Sequence, residues 1–126
     1  MSKNKKPTVV IIDDDEDYLD ILKMGLSNEF EIHTIGNMQR IECELKGLCP
    51  ALILLDNNLG RIKPEDVIVT IRSFDDLKQV PIILMSGTDP GKRESSAPEL
   101  DGFMLKPDSF QEVRNRLWAT LSRHEL

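Results

Sequence analysis

The stretch Ala51-Leu52-Ile53-Leu54-Leu55, followed at once by Asp56, constrains this chain more than any other. The run is apolar throughout, does not alternate, and is too short for a helix of a soluble domain. It fits a strand buried on both faces, the pattern of a parallel sheet. A carboxylate without a partner at the end of a buried strand is costly. One tolerable environment is a helix cap or turn, the usual role of Asp after a strand. The other is a cleft at the carboxyl end of the strand, where open α/β sheets bind ligands.

The rest of the chain repeats the pattern. Thr8 to Ile12 is a β-branched run and reads as a first buried strand. Tyr18, Leu19, Leu22, Met24 and Leu26 recur at helical spacing and predict a first helix ending near Ser27-Asn28. Phe30 to Ile35 alternates and predicts an edge strand with His33 on its solvated side. Met38, Ile41 and Leu45 mark a second helix, with Gly47 as its C-cap. Pro64-Glu65-Asp66 opens a third helix, since proline suits the first helical position and acids suit the N-terminal dipole. Val67, Ile68, Ile71 and Phe74 form its buried stripe. Pro81 to Met85 and Gly102 to Leu105 are two more strands. Phe110, Val113, Leu117 and Leu121 line a last helix, capped by Asp108 or Ser109. Strands alternating with helices imply βαβ units and a parallel sheet covered on both faces.

At 126 residues, 40% of them hydrophobic and 30% charged, the chain is expected to be one domain, 1–126, with 1–6 a basic tail. A net charge of -6 argues against direct DNA binding, because a phosphate backbone demands a basic face. No stretch approaches transmembrane length and no signal peptide is visible, so a cytoplasmic location is expected. Cys43 and Cys49 lack a metal-ligand spacing and read as free thiols.

In a parallel sheet every strand has its carboxyl end on one edge. Asp13-Asp14, Asp56, Ser86 and Lys106 follow or end four of the strands, so these side chains can converge there. Three carboxylates against one ammonium cannot all stay ionised without a cation. Mg²⁺ suits them, because it takes one or two carboxylates together with waters and phosphate oxygens. A carboxylate nucleophile could then accept a phosphoryl group as an aspartyl-phosphate. Its three equatorial oxygens would be met by the metal, Lys106 and the Ser86 hydroxyl, with Gly87 leaving room.

The motifs Val9-Val10-Ile11-Ile12-Asp13-Asp14-Asp15, the strand ending in Asp56, Pro81-Ile82-Ile83-Leu84-Met85-Ser86-Gly87 and Gly102-Phe103-Met104-Leu105-Lys106-Pro107 together resemble response-regulator receiver domains. The resemblance covers nearly the whole chain. It implies a flavodoxin-like, doubly wound α/β fold whose five parallel strands are ordered 2-1-3-4-5. It implies Asp56 as phosphoacceptor and Asp13 and Asp14 as Mg²⁺ ligands. A metal contact from the backbone carbonyl of Asn58 would join them. It further implies Ser86 as the switch hydroxyl, Lys106 as the phosphate-contacting lysine, Phe103 as the aromatic switch, and a cis Lys106-Pro107 peptide. The implied function is that of a two-component signalling domain, not a turnover enzyme. Such a domain is phosphorylated by a histidine kinase or phosphotransfer protein and acts on an output partner that the sequence does not name.

Three departures from the family pattern stand out. Gly60 occupies a position that is often proline, and Lys63-Pro64 replaces the usual Asp-Gly. Between Thr88 and Asp101 the family places its fourth helix, but here Pro90, Gly91 and Pro98 interrupt a segment with almost no apolar periodicity. A degenerate or missing fourth helix is therefore expected, and with it a monomer. Asn58 and Thr88 are expected to flank an acyl phosphate and set its lifetime. Two other readings compete. A haloacid-dehalogenase-like phosphatase would use Asp13-Asp14-Asp15, but it leaves Asp56 unexplained. A degenerate receiver would serve only as a protein-binding scaffold.

Overall fold

The computed structural model describes residues 5–87, 102–106 and 109–123. Its strands are β1 (Thr8–Ile12), β2 (Glu31–Ile35), β3 (Leu52–Asp56), β4 (Ile82–Ser86) and β5 (Gly102–Leu105). Its α-helices are α1 (Glu16–Leu26), α2 (Ile41–Leu45), α3 (Pro64–Arg72) and α4 (Phe110–Arg123). All strand pairs are parallel and the sheet order is β2-β1-β3-β4-β5. Both expectations, the doubly wound sheet and its order, hold.

Period-two geometry explains why the central strands are apolar throughout. Val9 and Ile11, Leu52 and Leu54, and Ile83 and Met85 point to one face, against Leu19, Leu22, Leu26, Val113 and Leu117 of α1 and α4. Val10 and Ile12, Ile53 and Leu55, and Ile82 and Leu84 point to the other, against Ile41, Leu45, Val67, Ile68 and Ile71 of α2 and α3. Every one of these strand side chains is almost wholly buried. Truncating one of them, such as Leu54 to Ala, costs about 2–5 kcal/mol because a cavity adds to the lost transfer energy.

The helices begin where their chemistry dictates. Asp15 caps α1 by accepting from the Tyr18 amide at 3.2 Å, and Glu16 and Asp17 follow in the first turn. Pro64 opens α3. The Ser109 hydroxyl accepts from the Glu112 amide at 3.3 Å, as an N-cap of α4 does. Gly47 has φ +83 just beyond α2, the left-handed turn expected of a C-terminal glycine. At Gly25 an added Cβ would lie 2.3 Å from the Phe110 ring, so the lack of a side chain there lets α4 pack against α1.

Two sequence expectations need comment. Met24 does not belong to the buried stripe of α1; it is 81% exposed. Leu19, Leu22 and Leu26 already define the inward face, and Met24 falls well off it at 100° per residue. The second concerns the fourth helix. The fourth α-helix in chain order is present, as Phe110–Arg123. The expected degeneracy applied to Thr88 to Asp101, and that segment, like the peptide to Pro107, lies outside the described residues. His33 is half-buried on β2 and pairs with Glu44 at 3.0 Å. Cys43 and Cys49 are exposed and unpaired. No described helix is long and apolar enough to cross a membrane.

Candidate functional site

The parity of each strand decides which residues meet at the carboxyl edge. Asp13 extends the Val9–Ile11 face of β1, and Asp56 extends the Leu52–Leu54 face of β3. Lys106 extends the Met104 face of β5, and its amide donates to the Ser86 carbonyl at 2.7 Å, continuing the sheet ladder by one step. These three side chains therefore share the α1/α4 face. Lys106 Nζ lies 3.3 Å from Asp13 Oδ2 and 3.3 Å from Asp56 Oδ1. The first contact is also a hydrogen bond; the second has ion-pair but not hydrogen-bond geometry, so Asp56 Oδ1 is buried without a hydrogen bond among the described residues.

Asp13 and Asp56 are buried, whereas Asp14 is exposed. Each of the three offers a carboxylate oxygen within 4.8 Å of the others. Burial, followed by the charge of Asp13, pushes the Asp56 carboxyl up from the usual 3.8 to about 6. Lys106 and the Asn58 backbone amide pull in the other direction and only partly offset the rise. Burial works against the Lys106 ammonium too, but the charges of Asp13 and Asp56 outweigh it and hold this lysine above its ordinary value. If all four groups are ionised, three negative charges face one positive charge, an excess of two, with Asp13 and Asp56 buried and Asp14 exposed. A hard divalent cation fits this donor set, because it would balance the excess, and Asp56 Oδ1 has no hydrogen bond among the described residues.

Ser86 and Phe103 fall on the opposite face of the sheet. Ser86 ends the Ile82–Leu84 face of β4 and is 3% exposed. Phe103 pairs with Leu84 in register, so it sits diagonal to Ser86, whose own partner is Leu105. It is half-buried and packs against the α2/α3 side of the core. Asn58 is exposed, two residues beyond Asp56. Gly87 has open space around its missing Cβ among the described residues.

The loop after β3 departs from an open connection. Leu59 and Ile62 form a small bridge, the Ile62 amide donates to the Leu59 carbonyl at 3.2 Å, and Gly60 between them has φ +68. Arg61 does not share the positive φ, so this is a II′-type turn with glycine first. Proline, fixed near -65°, cannot adopt that conformation.

Sequence reasoning placed Tyr18 in an apolar stripe and missed its neighbourhood. Its ring lies under Lys106 Nζ, 4.7 Å from the centroid, and its hydroxyl is buried without a hydrogen bond among the described residues. The available signal was its position, in the first turn after the Asp13-Asp14 edge. Also unforeseen was Trp118, whose indole NH donates to Glu29 at 2.7 Å and whose ring packs on Phe30 with centroids 4.9 Å apart.

A profile of the response regulator receiver domain matches residues 9–117. The chain belongs to that family. Receivers act in two-component signalling, between histidine kinases or phosphotransfer proteins and output partners, and they bind Mg²⁺ at an acidic site. Solved structures agree on the fold. The chemotaxis response regulator CheY4 of Vibrio cholerae is 18% identical, with a TM-score of 0.82 over 92% of this chain and 99% of its own. The response regulator TrrA of Thermotoga maritima, solved in complex with Mg²⁺ and BeF, is 23% identical, with a TM-score of 0.77 over 90% of this chain and 98% of its own. The receiver domain of the sensor histidine kinase PA1611 of Pseudomonas aeruginosa, with magnesium coordinated in its active-site cleft, is 13% identical, with a TM-score of 0.79 over 93% of this chain and 98% of its own.

Proposed function

We propose that this receiver takes a phosphoryl group onto Asp56 from a histidine kinase or phosphotransfer protein and, so modified, controls an output partner. The observation that carries the reading is the buried Asp56 carboxylate, with an oxygen free of hydrogen bonds among the described residues, next to Lys106 and two further acids. An Asp56 oxygen attacks phosphorus and forms an O–P bond. The donor N–P bond breaks, and its electron pair returns to the histidine imidazole. Negative charge then moves from the carboxylate to the phosphoryl oxygens, and Lys106, within reach of Asp56, can follow it. Asp13, Asp14, Asp56 and the Asn58 carbonyl would hold Mg²⁺, which supplies charge neutralisation for the incoming group. Water attack at phosphorus later releases inorganic phosphate and restores the carboxylate.

On this reading the domain is a switch and not a turnover enzyme. The phosphatase alternative gains nothing from the geometry, since it assigns no role to Asp56. The scaffold alternative leaves unexplained why two carboxylates, Asp13 and Asp56, are buried beside one lysine. Incubation with acetyl phosphate and Mg²⁺, followed by intact mass measurement, tests the proposal. Wild-type protein should gain one phosphoryl group, while Asp56→Asn, or wild type in EDTA, should gain none. Equal labelling of Asp56→Asn would overturn it.

A further inference from the structure

The site contains one side chain that the charge balance does not account for. Tyr18 stands at the third position of α1 and is fixed there by a short relay. Asp13 Oδ1 accepts from the Asp15 amide at 3.0 Å, and Asp15 Oδ1 accepts from the Tyr18 amide at 3.2 Å. The residue that caps the helix is thus itself tied to an acid of the site. The relay brings the first turn of α1 over the sheet edge and lays the Tyr18 ring 4.7 Å from Lys106 Nζ.

We propose that Tyr18 is a positioning residue of the phosphoryl site, whose ring seats Lys106 between Asp13 and Asp56. This rests on the reading of Asp56 as phosphoacceptor. Lysine is a long, flexible side chain, and fixing it costs rotamer entropy. Two anions alone hold it only as long as both keep their charge. Phosphorylation moves the charge of Asp56 outward onto the phosphoryl oxygens, so one of the two anchors changes place. An aromatic face attracts an ammonium through its quadrupole and carries no net charge. It therefore keeps Nζ near the site without competing with phosphate for the proton or for the metal. Burial, opposed only in part by Lys106, raises the Tyr18 phenol further above its ordinary range, so the ring stays neutral. The hydroxyl has no hydrogen bond to contribute among the described residues, which assigns the role to the ring.

Three forms of the whole chain decide this: wild type, Tyr18→Phe, which keeps the ring, and Tyr18→Leu, which keeps apolar bulk without a π face. Two readouts are used, the proton shifts of the Lys106 side chain by NMR and the rate of labelling by acetyl phosphate with Mg²⁺. The ring should shift the Lys106 methylene protons next to Nζ upfield in wild type and in Tyr18→Phe, and the shift should vanish in Tyr18→Leu. Labelling should be unchanged in Tyr18→Phe and slowed about five-fold in Tyr18→Leu, the scale of a partly desolvated cation–π contact. An unshifted Lys106 in wild type, or equal labelling rates in wild type and Tyr18→Leu, would overturn the assignment. So would a Tyr18→Phe variant as slow as Tyr18→Leu. Failure of every form to label would refute the phosphoacceptor reading instead, and the Lys106 resonances would still decide whether the ring seats it.

Discussion

At the scale of single residues, Asp56 carries the cost of the site. Its folded-state carboxyl is raised to about 6 by burial and by Asp13, against an ordinary 3.8. Below both values it is protonated in folded and unfolded chains alike and has no effect on stability relative to a neutral side chain. Between about 4 and 6 the folded protein keeps the proton that the unfolded chain has lost, so stability falls as pH rises through this window. Above about 6 the full penalty applies, on the order of 1–3 kcal/mol. Asp56→Asn, in the absence of divalent ions, is therefore expected to be more stable than wild type at about pH 7.5. The advantage should shrink to nothing towards about pH 4. Urea melts at several pH values check this; an advantage independent of pH would contradict it. Asp13, Asp56 and Lys106 were legible in the sequence because each stands at the end of a recognisable strand, buried throughout for β3 and nearly so for β1, and a parallel sheet leaves such residues only one edge to occupy. Tyr18 was not, because an aromatic at helical spacing beside Leu19 and Leu22 reads as core, and only the three-dimensional relay through Asp15 puts it beside Lys106.

Among the elements, the β3–α3 loop has a shape that the sequence marked only as a departure. Gly60 signalled a difference from the family pattern, but the value of φ follows from closing the Leu59–Ile62 bridge while Leu59 is pulled into the core at 3% exposure. The turn also sets the backbone beside the exposed acid, since a Gly60 Cβ would come 3.9 Å from Asp14 Oδ2. Gly60→Ala is expected to destabilise the fold by about 1 kcal/mol, because a side chain at positive φ is strained. Gly60→Pro should cost more, since its ring excludes that φ altogether. Denaturant midpoints give the measurement, and a Gly60→Pro variant as stable as wild type would mean the turn is of another type. The buried runs, the capped helix starts and the glycine after α2 were all readable from local chemistry. The exposure of Met24 was not read correctly, because hydrophobicity alone does not say on which side of a helix a residue falls.

Over the whole molecule, the two faces of one sheet divide the work. Asp13, Asp56 and Lys106 share the α1/α4 face, while Ser86 and Phe103 lie diagonal to each other on the opposite one. A phosphoryl group on Asp56 that draws the Ser86 hydroxyl towards it would open space next to Phe103. Phosphorylation is then expected to shift the population towards an inward Phe103. A beryllofluoride complex stands in for the phosphoryl group, and a structure of it with Ser86 and Phe103 unmoved would exclude this coupling. The strand order was also within reach of the sequence, through the resemblance of four motifs, whereas Thr88 to Asp101 resists such reading because little in it has an apolar face to pack. All of this depends on where the phosphoryl group goes. An acyl phosphate is reduced by borohydride at its carbonyl carbon, so phosphorylated protein treated with labelled borohydride carries the label at the acceptor residue. After proteolysis and mass spectrometry, the label should be found at Asp56 alone. Label at Asp13 or Asp14, or on none of the aspartates of a protein that has gained phosphate, would contradict the account.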